Sequence, residues 1–205
     1  MQLIPESDDL SDYLASSDII DFDDAEVQKT LQRLQSISND ESELAKNIYE
    51  YVRDAIPHSF DIDGIIVTCR ASDVLRYGEG ICFAKSHLLA ALMRSAGVPA
   101  GFCYQKLVFD DNDPNYKTLH GLNAIYLKNL NKWIRLDARG NKSGVDAQFS
   151  IDKEKLAFPV RKEMGERDYP TIYTKPDPAI VQSLLENRTI QELMHNLPSK
   201  LVYID

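Results

Sequence analysis

Cys82 follows the run Gly78-Glu79-Gly80-Ile81 and opens a long, mostly apolar segment that ends at Arg94. A cysteine where a glycine-rich turn enters a helix has physical consequences. Free backbone amides and the positive end of the helix dipole favour an anion there, and the thiolate is the nucleophilic form of cysteine. Glycines such as Gly80 let a substrate backbone approach the sulfur. The N–H of Cys82 itself is a candidate donor to an oxyanion. A thiolate needs a base that can also act as an acid, and a group to orient that base. His120 begins one apolar stretch and Asp137 ends the next. If Leu127 faces Lys132 across the intervening turn, Leu122 faces Asp137 and His120 is its diagonal neighbour, within reach of a long side chain. Trp133, on the same face, would wall the site. Arg139 and Asn141, just beyond Asp137, and His58, at a helix exit, are candidate substrate contacts.

The other cysteines and histidines carry less. Cys69 and Cys103 read as core residues, and His87 as structural within the buried segment. Positions 69, 82 and 103 contain no close cysteine pair of the kind a structural zinc site uses, so no metal is expected. The acidic loop 110–115 lacks the glycine and the final glutamate of a calcium-binding loop. No cofactor is implied.

These residues need a helix to hold the sulfur and strands to hold its partners. Ile81, Ala84, Leu88, Ala91 and Ser95 form one stripe and Leu89, Leu92, Met93 and Ala96 another, which predicts a buried central helix stopped by Gly97-Val98-Pro99. Before it, Val27, Leu31 and Leu34 mark one amphipathic helix. Leu44, Ile48, Tyr51, Val52 and Ala55 mark a second that Pro57 ends. Ser72 is the expected N-cap of a short helix reaching Tyr77. After the central helix come strands over 102–109, 119–127 and 133–138, with a polar loop at 110–115 and a turn at 129–131. Short helices are expected near 180–185 and 190–195. Helices followed by a run of strands imply an α+β fold with an antiparallel sheet.

The chain has 205 residues and a net charge of −9, with 43% hydrophobic and 27% charged residues. That suits a soluble globular protein with a real core. The acidic balance argues against a nucleic-acid partner. No apolar run is long enough for a membrane span, and the start lacks the features of a signal peptide. An odd number of cysteines argues for a reducing, cytoplasmic setting, in which the two glycosylation-like triplets at Asn141 and Asn187 are chance. Residues 1–28 hold nine acidic and no basic side chains and read as a solvated arm or capping segment, with Ile19, Ile20 and Phe22 as possible anchors.

The runs Ser72–Cys82, Arg94–Ala100, Leu119–Ala124 and Trp133–Arg139, in this order, resemble bacterial transglutaminase-like proteins. The motif core covers roughly residues 48–141. Small members of this kind are described as candidate cysteine proteases. The resemblance implies a papain-like fold, with Cys82 as nucleophile, His120 as base and acid, and Asp137 as its orienter. Papain-type enzymes place an oxyanion glutamine six residues before the cysteine. Here that position is Arg76. Animal transglutaminases use a tryptophan, and the single Trp133 lies elsewhere in the chain. The resemblance therefore assigns no second oxyanion donor. It divides the chain into an acidic arm (1–24), a catalytic core (25–149) and a C-terminal extension (150–205). The expected activity is acyl transfer at an amide bond of a peptide or protein, with water as acceptor. The alternatives are a transglutaminase, with an amine as acceptor, and a peptide-binding module without catalysis.

Overall fold

The computed structural model describes residues 1–202. Its elements are β1 (Ile4–Pro5), α1 (Ala25–Gln35), α2 (Glu41–Ala55), α3 (Ala71–Tyr77), α4 (Cys82–Ser95), β2 (Ala100–Asp110), β3 (Asp113–Leu127), β4 (Lys132–Leu136), β5 (Arg167–Asp168), β6 (Thr171–Ile172), α5 (Pro178–Glu186) and α6 (Ile190–His195). The fold is α+β. Four strands form an antiparallel sheet in the order β4-β3-β2-β5, and β1 pairs in parallel with β6.

The helices form where apolar spacing and caps agree. Asp24 accepts the N–H of Glu26 at the start of α1, which buries Val27, Leu31 and Leu34. Asp40 accepts the N–H of Glu43 at the start of α2, which buries Ala45, Ile48, Tyr49 and Val52. Helix α4 is buried without a break from Phe83 to Arg94, as its two apolar stripes require. It packs against β2, β3, α2 and α3. Leu88, Leu92, Ile125, Leu127, Ile134 and Leu136 belong to this main core. Tyr13, Cys103, Leu122, Ala124 and Ile172 form a second cluster. Residues on β3 alternate between the two clusters, as the pleat demands.

Two local expectations are corrected. Ser72 is not the N-cap of α3. That place belongs to Arg70, which has no side-chain cap. Instead, the Ser72 N–H and hydroxyl both donate to the carboxylate of Asp21, 3.0 and 2.6 Å away. The polar stretch 110–115 is mostly strand. Only Asp111 and Asn112 turn, closed by Asp110 Oδ1, which accepts from the backbone N–H and the side-chain amide of Asn112 at 2.9 Å. The acidic lead-in is held by its expected anchors, Ile20 in the main core with Ile19 and Phe22 packed against it, and also by the buried Tyr13. The Tyr13 hydroxyl donates to the carbonyl of Ile172 at 3.1 Å.

Candidate active site

Cys82 is the first residue of α4, and the preceding Ile81 supplies no side-chain cap. The N–H of Cys82 donates instead to Nε2 of His58, 3.1 Å away. Glycine is required where the helix meets the sheet. A Cβ on Gly121 would lie 2.6 Å from Cδ1 of Phe83, so only a bare strand lets the first turn of α4 come down beside His120.

The register places the strand residues. Leu127 sits opposite Lys132 and Asn123 opposite Leu136, so Asp137, one residue past β4, comes level with β3 next to His120. His120 Nε2 donates to Asp137 Oδ2 at 2.8 Å. That carboxylate also accepts the N–H groups of Ala157 at 3.0 Å and Arg139 at 3.2 Å. Burial alone would push the His120 imidazole down. Asp137, and then Cys82 on its other side, outweigh burial and raise it to about 10. Asp137 is buried, which works against its ionisation, yet His120 and the two backbone donors hold its carboxyl below the usual range. The ring is thus a cation between a carboxylate and a sulfur. Phe158 packs edge-on to it at 5.2 Å.

The three thiols are not alike. All are free, and Cys82 alone is partly exposed. Burial pushes Cys69 and Cys103 up to about 12. Cys82 opens into a cleft of about 770 Å³, whose lining includes His58, Phe60, Phe109, His120, Arg139 and Phe158.

The other expected residues separate into two sets. His58 and Arg139 line the cleft. Arg139 forms a two-pronged pair with Asp61, which also holds Lys142 at 2.6 Å. Gly80 flanks His58 as a bridge partner. Trp133, expected to wall the cleft, lies against Tyr13 and Tyr126, with ring centroids 4.9 and 5.4 Å away. It shares a face with Asp137 but stands four residues back, about 13 Å along a strand. Asn141 also points away, since its amide bonds both the N–H and the carbonyl of Ala147 and closes its own loop.

Two features escaped the sequence reading. Asp61 pairs with Arg139 across 78 residues, a spacing with no local signal. Lys85 is fully buried on α4. It donates to the carbonyls of Arg53, at 3.2 Å, and Ile56 where α2 ends. Burial pulls it down to about 7. Among the described residues, no three His, Cys, Asp or Glu side chains are grouped to hold a metal ion, and no helix is long and apolar enough to cross a membrane.

Comparison with known proteins bears on the fold and the family. No curated protein matches the chain. Among solved structures, it is similar to a protein from Cytophaga hutchinsonii named as a candidate cysteine protease, with 22% identity and a TM-score of 0.51 over 65% of this chain and 43% of that one. A protein named as a TGase matches at 15% identity and a TM-score of 0.47, over 96% of this chain and 53% of that one. The chain thus spans about half or less of the length of these two structures. The description "Transglutaminase-like superfamily" matches residues 28–138, which include Cys82, His120 and Asp137. A match over more than half of the chain settles its kinship: the protein belongs to the transglutaminase-like superfamily.

Proposed function

We propose that the protein is a thiol acyl-transfer enzyme that cleaves an amide bond of a peptide or protein, with Cys82, His120 and Asp137 as its catalytic residues. The observation that carries this reading is the His120–Asp137 contact at 2.8 Å beside a partly exposed cysteine at the start of a buried helix. Asp137 accepts from Nε2, so the ring's other nitrogen, Nδ1, serves the sulfur.

In the first half-reaction the Cys82 thiolate attacks the carbonyl carbon, and the electron pair of the C=O bond moves onto oxygen. The intermediate collapses as the carbon–nitrogen bond breaks, and His120 gives its Nδ1 proton to the leaving amine. A thioester and a neutral imidazole remain. In the second half, His120 takes a proton from water, the hydroxide attacks the thioester, and the sulfur leaves as thiolate. Asp137 holds the imidazole in place and stabilises its cationic form.

Water is favoured over an amine as acceptor because the rim of the cleft is open. Asp110, Asp111 and Lys142 are all exposed there. Aromatic walls at Phe60, Phe109 and Phe158 suit a substrate with a bulky apolar side chain beside the scissile bond. Three unpaired thiols fit a reducing, cytoplasmic setting.

The test compares the wild type with Cys82→Ser on a panel of peptides and of glutamine–amine pairs, read by mass spectrometry. The expected result is backbone or side-chain amide hydrolysis that the substitution abolishes. Ammonia loss with amine incorporation would make the protein a transglutaminase. Equal behaviour of the two proteins, together with failure of iodoacetamide to label Cys82 ahead of Cys69 and Cys103, would leave a non-catalytic cleft.

A further inference from the structure

A carboxylate orients an imidazole only if it is itself held, and a misplacement of about 1 Å is enough to cost about 100-fold in rate. Pairing between β3 and β4 ends at Asn123 and Leu136. Asp137 lies one residue beyond it, so other contacts must fix its place. The Tyr49 hydroxyl donates to its carbonyl at 3.1 Å. Its carboxylate accepts the N–H groups of Ala157 and Arg139.

Arg139 supplies more than that N–H. Its side chain is buried, and both terminal nitrogens of the guanidinium grip the carboxylate of Asp61, Nη2 reaching Oδ1 at 2.9 Å. The guanidinium carbon also lies 5.9 Å from the ring centroid of Phe158, the ring that packs edge-on against His120. Arg139 thus reaches the His120–Asp137 pair by two routes, its backbone and Phe158. Burial opposes the charge on Asp61, yet Arg139 and Lys142 hold its carboxyl down to about 2. The pair is therefore ionic at neutral pH.

Asp61 belongs to the sulfur side of the cleft. Its N–H donates to the carbonyl of His58 at 2.8 Å, and Nε2 of His58 accepts the Cys82 N–H at 3.1 Å. The contacts run without a break from Cys82 through His58 and Asp61 to Arg139, and from there to Asp137 and His120.

We propose that Asp61 and Arg139 are a positioning pair: they strap the turn that meets Cys82 to the segment that carries Asp137, and so hold the His120 imidazole in line with the sulfur. The assignment rests on the acyl-transfer reading above. In this role neither residue binds the substrate or moves a proton.

Two reactions of the Cys82 sulfur test the assignment. The first is acylation by p-nitrophenyl acetate, which has no net charge for a guanidinium to recognise. Asp61→Asn and Arg139→Met are each expected to slow it by about 10-fold or more. The double variant is expected to be no slower than the slower single one, because both substitutions cut the same strap. Arg139→Lys, which keeps the charge, should recover part of the loss, with circular dichroism confirming that all variants fold. The second reaction is alkylation by iodoacetamide as a function of pH. Asp61→Asn removes a negative charge, which by itself would move the profile to lower pH. A released imidazolium leaves the sulfur less stabilised as thiolate and moves the profile to higher pH, which is the expected result. Losses that multiply in the double variant would overturn the proposal, since Arg139 would then act independently of Asp61. So would a folded single variant acylated at the wild-type rate, an Arg139→Lys no faster than Arg139→Met, or an Asp61→Asn profile that stays in place or moves down. Failure of the wild type to acylate at Cys82 would instead bring down the acyl-transfer reading, and the alkylation profile would still decide for or against the strap.

Discussion

His120 carries a charge in a place that disfavours one. Desolvation works against a buried cation, and the Asp137 carboxylate 2.8 Å away is what reverses the sign. Asp137→Asn removes that charge while keeping the shape. The variant is expected to lose most acylation activity and to bring the His120 titration, followed by NMR, from about 10 to below the usual value of about 6.5. Breaking a buried pair from one side also costs about 3 kcal/mol of stability, which urea unfolding reads. His87 is the opposite case. Its Nδ1 donates to the carbonyl of Cys69 at 2.7 Å, and burial pulls it down to about 4. Its folded-state pKa lies below that of the unfolded chain, so the unfolded chain binds the proton first. Stability is therefore expected to fall as pH drops from about 6.5 toward 4, by about 3 kcal/mol from this residue, with His58 adding to the same slope. His87→Asn should flatten the loss between urea midpoints measured at pH 7 and pH 5.

At the level of elements, the seam between α4 and β3 decides whether sulfur and imidazole meet. Gly121 is its tightest point, since a methyl group there runs into Phe83. Gly121→Ala is expected to cost about 2 kcal/mol and to reduce activity more than that loss of stability alone would, because the displaced turn carries Cys82. Thermal unfolding and acylation rates on the same sample separate the two effects. The elements that bring these groups together were legible in the sequence for a clear reason. The apolar stripes of α4 and the Asn129–Asn131 turn are local signals, and the turn fixed the register that sets His120 against Asp137. What stayed hidden depends on distant partners. Ser72 reads as a cap from its neighbours, yet it answers to Asp21. Asp110 has the look of a loop residue, and here it closes a two-residue turn. The candidacy of His58 could be read from its place after Pro57, but its contact with the Cys82 amide could not.

Across the whole molecule, Arg94 ties the lead-in at Ala15, the start of β2 and the segment after β6 to the central helix. Its guanidinium donates to the carbonyls of Ala15, Ala100 and Thr174. Arg94→Met leaves those three oxygens without this partner and is expected to cost about 3 kcal/mol, visible as a lower urea midpoint, with Cys82 still alkylated below the transition. The hairpin at Asp111 and Asn112 has a different consequence. It is an exposed tip of the kind that tolerates a break, and it divides the chemistry as well as the chain. Everything before it holds the sulfur and His58; everything after it holds the imidazole of His120 and its carboxylate. On the proposed mechanism, two polypeptides split at this tip would each lack part of the triad, and turnover is expected only when they reassemble, which would let the scaffold report proximity between whatever is fused to the halves.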